Sequence, residues 1–186
     1  NNSIGSGTGG GAIVNSGTLR RSGSAGTFTI GGGPGVTVTN NAGGTIDVQT
    51  GTLQINSIAS NTNSGTINTA SGATLATGAN PLTNAATGVI KGNGTLDLGG
   101  AGKVLTNSGA LNPGASPGTL TINGDLTMTP SSVTNVEIQS PGVTAGTDFD
   151  RINVSGAVTF DGTLNVTHLG GFVPTTNQPF QVKSTT

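Results

Sequence analysis

The chain has 186 residues and a formal net charge of −1, and four small or polar types, Gly (34), Thr (32), Asn (19) and Ser (16), make up more than half of it. One Glu, one Met and three each of Lys and Arg are too few good helix formers for a helical fold, and six scattered cations with no Tyr or Trp beside them exclude a nucleic-acid surface. Thr, Val, Ile and Leu recur throughout at low charge, which separates the chain from disordered sequences of similar Gly and Ser content.

The first residue is Asn1 and no run approaches eighteen apolar residues, so a processed portion of a longer protein is expected, with no membrane insertion by this segment. Gly5-Ser-Gly-Thr-Gly-Gly10 has the letters of a dinucleotide loop, but no helix-forming segment follows, and it reads as a Gly-rich turn. A repeat then sets in. Asn, a few small residues including Gly, and an aliphatic residue recur at Asn15-Ser-Gly-Thr-Leu19, Asn41-Ala-Gly-Gly-Thr-Ile46, Asn63-Ser-Gly-Thr-Ile67, Asn84-Ala-Ala-Thr-Gly-Val-Ile90 and Asn107-Ser-Gly-Ala-Leu111. The anchors Gly17, Gly44, Gly65, Gly88 and Gly109 are 27, 21, 23 and 21 residues apart. A second motif, Gly just before Thr-Leu, keeps step at Gly51, Gly72, Gly94 and Gly118, with spacings of 21, 22 and 24.

Two motifs locked to a period of about 22 residues predict an all-β fold, a right-handed parallel β-helix (β-solenoid) with one coil per period. Ile46-Asp-Val48, Leu53-Gln-Ile55, Leu96-Asp-Leu98, Leu120-Thr-Ile122 and Leu126-Thr-Met128 alternate with period two, the pattern of short strands with one face inward. Gly is expected to supply corners at positive φ, and Asn to form hydrogen-bonded ladders between coils. Thr-x-Thr pairs such as Thr37/Thr39 and Thr127/Thr129 read as ordinary outward strand positions, since the pairs do not repeat at the coil period. Phe28, Phe149, Phe160 and Phe172 are read as fillers of the interior or of its ends. After about Ser131 the step loosens and Pro130, Pro141, Pro174 and Pro179 punctuate the chain. One solenoid over 1–186 is therefore expected, with regular coils over 1–130 and less regular terminal coils over 131–186.

The side chains offer little chemistry. Asp148 and Asp150 alternate onto one face as a weak Ca²⁺ candidate, with an acidic turn beside Arg151 as the simpler reading. His168, the single histidine, has no nucleophile elbow to serve and belongs on a strand end or rim. Asp47, Asp97 and Asp125 are far apart in sequence, and Gly102-Lys103-Val104 breaks the phosphate-loop pattern. No catalytic residue and no cofactor are expected.

The run from Asn107 to Asp125, with Asn-Pro-Gly-Ala-Ser-Pro-Gly-Thr-Leu at its centre, is followed by Val136-Glu-Ile138, Asp148-Phe-Asp-Arg-Ile-Asn-Val-Ser-Gly156, Gly162-Thr-Leu-Asn-Val166 and Gly171-Phe-Val-Pro174. This ordered set resembles the β-helical passenger region of Gram-negative autotransporter-type surface adhesins. The resemblance implies a right-handed β-helix exported to the cell surface or secreted, with adhesion or scaffold roles. The expected function is accordingly a non-enzymatic extracellular adhesin or structural scaffold, stacking end to end or laterally with itself or binding host or surface glycans. The alternative is a glycan-binding or glycan-degrading β-helix protein.

Overall fold

A computed structural model describes residues 2–4, 10–31, 35–56 and 59–185. The Gly5–Gly10 motif lies outside these residues except for Gly10. The described residues form strands and turns with no helix, and three strands recur in a fixed order to make each coil. The first coil holds β1 (Asn2–Ile4), β2 (Gly11–Asn15) and β3 (Thr18–Arg21), and the second β4 (Thr27–Ile30), β5 (Val36–Asn40) and β6 (Thr45–Val48). The third holds β7 (Thr52–Ile55), β8 (Asn61–Asn63) and β9 (Thr66–Thr69), and the fourth β10 (Thr74–Ala76), β11 (Leu82–Asn84) and β12 (Val89–Gly92). Next come β13 (Thr95–Asp97), β14 (Val104–Asn107) and β15 (Ala110–Pro113), then β16 (Thr119–Asn123), β17 (Asp125–Met128) and β18 (Val133–Ile138). Finally β19 (Arg151–Val154), β20 (Val158–Thr159) and β21 (Thr163–His168) close a coil on which β22 (Lys183–Thr185) begins another. Corresponding strands pair in parallel into three sheets of eight, seven and seven strands, here called A, B and C in the order the chain visits them. This is the expected parallel β-solenoid.

Register reproduces the repeat. On sheet C, Leu19 pairs with Ile46, Ile46 with Ile67, Ile67 with Ile90 and Ile90 with Leu111, the 27, 21, 23 and 21 residue steps of the first motif. The inward residues of successive coils fall on one another and are almost fully buried, among them Leu53, Leu75 and Leu96 on sheet A, Leu82, Leu105 and Leu126 on sheet B, and Ile67, Ile90 and Leu111 on sheet C. Each such side chain contributes roughly 1.5–3 kcal/mol of transfer free energy. The second motif is off by one pleat at its last step. Leu96 pairs with Ile122 rather than Leu120, because residues 114–118 form a longer corner, and a slip of two residues leaves the same side chains facing inward. Between β18 and β19 a further insertion lengthens the step, so Ile122 pairs with Val154, 32 residues on.

The asparagines close the corner between sheets B and C. Asn15 Nδ2 donates to Asn40 Oδ1, Asn40 to Asn63, Asn63 to Asn84 and Asn84 to Asn107, every link 2.7 Å long. The amide nitrogen also donates to the corner glycine carbonyl of its own coil, Gly44, Gly65, Gly88 or Gly109, at 3.1–3.3 Å. Asn40, Asn63, Asn84 and Asn107 have no accessible surface.

The reason for glycine at these corners differs from the expected one. Gly44, Gly65, Gly88 and Gly109 are absent from the positive-φ residues; a Cβ on Gly65 would instead be driven into the Gly44 carbonyl oxygen, and one on Gly109 into that of Gly88. The expectation of positive φ holds elsewhere, as at Gly72 (φ 74°), where a Cβ would meet nothing within 4 Å. Phenylalanine also splits. Phe149 is buried, Phe28 and Phe172 are half-buried, and Phe160 is 62% exposed because sheets B and C end at its coil.

These two glycine classes predict opposite outcomes to a φ-based ranking. Gly65→Ala, at an ordinary φ, should lower unfolding free energy by about 3 kcal/mol through overpacking, whereas Gly72→Ala should cost about 1 kcal/mol of backbone strain. Urea denaturation of the two variants checks the order.

Candidate functional site

Outside the core, the polar side chains of sheet C form a register column. Arg20, Asp47, Asn68, Lys91 and Asn112 occupy equivalent positions on β3, β6, β9, β12 and β15, and Asn135 and Asn165 continue it on β18 and β21. Arg20 Nε, Asn68 Nδ2 and Gln49 Nε2 each donate to the Asp47 carboxylate at 2.9 Å. Burial of Asp47 opposes ionisation, but the hydrogen bonds from Asn68, Arg20 and Gln49 outweigh it and hold the carboxyl below the usual value. Further along, Asn135 Nδ2 donates to Asn112 Oδ1 at 2.6 Å and Asn165 Nδ2 to Asn135 Oδ1 at 2.9 Å. Lys91 stands between the two hydrogen-bonded stretches.

Beside Lys91 the column borders a cleft of about 270 Å³ lined by Lys91, Asn112, Pro113, Gly114, Ser116, Asn135, Glu137 and Asp150. Its parts come from three places. Lys91, Asn112 and Asn135 arrive by the coil repeat; Glu137 lies one pleat beyond Asn135 on the same outward face of β18; Asp150 is carried in by the 139–150 insertion. Asp150 is 1% exposed, with Oδ1 accepting from the Gly118 N–H at 2.6 Å and Oδ2 from the Glu137 N–H at 2.8 Å. Gly114 leaves room for it, since a Cβ there would collide with Asp150 Oδ1. Burial, helped by the charge of Glu137, raises the Asp150 carboxyl to about 6 despite those two N–H bonds. Among the described residues Arg20–Asp47 is the one ion pair, so Lys91 and Glu137 face the cleft without neutralising each other.

The residues singled out from sequence lie elsewhere or serve other ends. Asp148 and Asp150 do not share a face: Asp148 folds back on the Ser140 hydroxyl and the Thr144 N–H of its own loop, while Phe149 and Asp150 both turn inward and break the alternation. The Ser140 and Thr144 bonds outweigh desolvation and hold Asp148 below the usual carboxylate value. No group of three or more His, Cys, Asp or Glu residues suited to a metal occurs among the described residues. His168 ends β21 at the exposed rim, edge-on to Phe172 at 6.1 Å. Asp47, Asp97 and Asp125 sit on sheets C, A and B, and each binds neighbouring groups: Asp97 takes the Gly99 N–H and Asn123 Nδ2, and Asp125 the Gly102 and Ala157 N–H groups. Thr-x-Thr pairs indeed do not repeat, yet single threonines do: Thr39, Thr62, Thr83, Thr106, Thr127 and Thr159 form one outward column on sheet B. No described helix is long and apolar enough to cross a membrane.

The Lys91, Glu137 and Asp150 grouping was not singled out from sequence. The coil period carried half of the signal, because 91 plus steps of 21 and 23 reaches 135 and Glu137 is two residues further on. The path of the insertion carried the other half.

Comparison with known proteins gives one partial likeness. The chain is 42% identical over 69 residues to the adhesin BmaC autotransporter of Brucella suis biovar 1 (strain 1330), a stretch that covers 37% of this chain and 2% of that protein. No family model matches, and no solved structure does. The chain is thus similar to a small part of a very long autotransporter adhesin, and as a parallel β-solenoid it resembles the passenger region of such proteins.

Asp150 makes stability depend on pH in a particular direction. Its folded value of about 6 lies above the ordinary 3.8 of an unfolded chain, so between these values the folded state binds more protons and stability rises as pH falls. The expected gain from pH 7.5 to 5 is about 1.4 kcal/mol, and Asp150→Asn should flatten it. Asp47 and Asp148, held low, act oppositely only below about pH 4. Thermal melts across this range check the sign.

Proposed function

We propose that this chain is a non-enzymatic segment of a Gram-negative adhesin, displayed at the cell surface or secreted, which acts as a stiff rod presenting its outer faces to a target. The observation that supports this reading most is the 69-residue likeness to an autotransporter adhesin, together with the parallel β-solenoid of this chain. The polar inventory agrees with it. Most described carboxylates bind neighbouring backbone N–H groups or amides within the rod, which leaves little for catalysis.

The same reading puts attachment on the long outer faces of the rod. A glycan-degrading reading draws on one observation, that Glu137 and Asp150 line the same cleft, two carboxyl groups being the minimum for glycoside hydrolysis.

Beads coated with the folded chain should adhere to epithelial monolayers or extracellular-matrix films several-fold more than albumin-coated beads, and heat-unfolded chain should lose the effect. Equal adhesion of all three would refute the adhesin reading, and reducing sugars released from a polysaccharide panel would favour the enzyme.

A further inference from the structure

We propose that the cleft between Lys91 and Asp150 is a glycan subsite that holds one neutral hexose unit. The proposal rests on the adhesion reading, since it names the chemistry through which such a rod would hold a surface. Three features of the cleft lead to it.

Size comes first. At about 270 Å³ the cleft falls below the roughly 300–1,000 Å³ typical of sites for drug-sized ligands, so it suits a single sugar ring rather than a peptide helix or an extended cofactor. The floor beside Pro113 and Gly114 is made of backbone and a buried ring, and Asp150 is held in place by two N–H groups, so the wall is preorganised.

The second feature is the mixture of hydrogen-bonding types. Lys91 only donates, the Glu137 carboxylate only accepts, and Asn112, Asn135 and Ser116 do both. A sugar hydroxyl both donates and accepts, so adjacent hydroxyls can meet all of these groups at once. Hydroxyls donating to a carboxylate and accepting from an ammonium make charge-assisted bonds, the stronger class.

Charge is the third. One ammonium faces two carboxyl groups, and an anionic ligand would bring a like charge against both Glu137 and Asp150. A cationic amino sugar is drawn to the two carboxyl groups but must place its ammonium in the same one-ring cleft as that of Lys91, which repels it. A neutral polyol suffers neither penalty. Lys91 and Glu137 form no ion pair with each other, so both are free to bind it without first breaking a bridge.

Saturation-transfer difference NMR with the full chain tests this, using methyl glycosides of glucose, galactose and mannose beside glucuronate, sialic acid and glucosamine, all at millimolar concentration. At least one neutral hexoside should bind, and Glu137→Gln and Lys91→Met should each weaken it about tenfold or more, with melting curves that stay superimposable on the parent. Thr62→Val, on the outward face of sheet B, should leave binding unchanged. If either cleft variant melts early, paramagnetic broadening of the bound sugar by a spin label at Ser116→Cys replaces it as the readout of position. Binding of only the charged sugars, binding indifferent to the cleft variants or label, or no binding by any neutral hexoside would overturn the proposal. Adhesive beads with no hexose binding would reject this subsite and leave the adhesin reading intact; hexose binding with non-adhesive beads would do the reverse.

Discussion

A buried amide-to-amide hydrogen bond, repeated from Asn15 to Asn107, governs the geometry of this molecule. A primary amide removed from water costs several kcal/mol unless its donors and acceptor are met, and from Asn15 to Asn84 each amide donates to the one that the next coil places at the same corner, one strand spacing above. The 2.7 Å links therefore demand coil-by-coil register. They also demand that the backbone at the corner run close to the coil below. Gly44, Gly65, Gly88 and Gly109 are bare for that reason, and their carbonyls accept from the amides of Asn40, Asn63, Asn84 and Asn107. With that corner set, the period-two strands on either side can turn only one row of aliphatic side chains inward, and the core follows as continuous columns of Leu, Ile and Val.

The outer face of sheet C obeys the same logic under weaker constraint. Register brings like positions together, so Arg20, Asp47 and Asn68 bond to one another, as do Asn112, Asn135 and Asn165. Solvent is available there, and the column tolerates a residue such as Lys91 that bonds to neither neighbour's side chain. The candidate cleft lies where regularity fails. Met128 replaces the next Asn at the corner, the 114–118 corner is longer, and the 139–150 insertion folds across the rod and buries Asp150 against the backbone of Gly118 and Glu137. Departures from the repeat thus supply the concavity that a plain solenoid wall lacks.

Much of this was legible in the sequence because a solenoid converts sequence spacing directly into spatial neighbourhood. The glycine steps of 27, 21, 23 and 21 are the sheet C register itself, and the Asn of the motif is the ladder residue at Asn15, Asn63, Asn84 and Asn107. At the second corner the motif begins at Asn41, while the ladder uses its neighbour Asn40, which the strand alternation turns inward. What sequence spacing conceals is shape. It could not separate glycine needed for close approach at Gly65 from glycine needed for positive φ at Gly72, nor see that Leu96 meets Ile122, because a two-residue slip preserves the apolar face. Asp148 and Asp150 looked equivalent by alternation, yet the chain leaves strand geometry at Phe149 and sends them to different partners. Glu137 and Asp150 meet through an irregular loop, for which no period exists.

The central claim is that the asparagines act as a coupled ladder rather than as separate corner residues. A double-mutant cycle on Asn63 and Asn84, with each replaced by Ala alone and together and unfolding followed in urea, measures that coupling. Each single change leaves its neighbour's buried amide partly unmet, so the pair should be non-additive, with an interaction energy of about 1–2 kcal/mol. Additivity within about 0.3 kcal/mol would contradict the account and reduce the ladder to independent contacts.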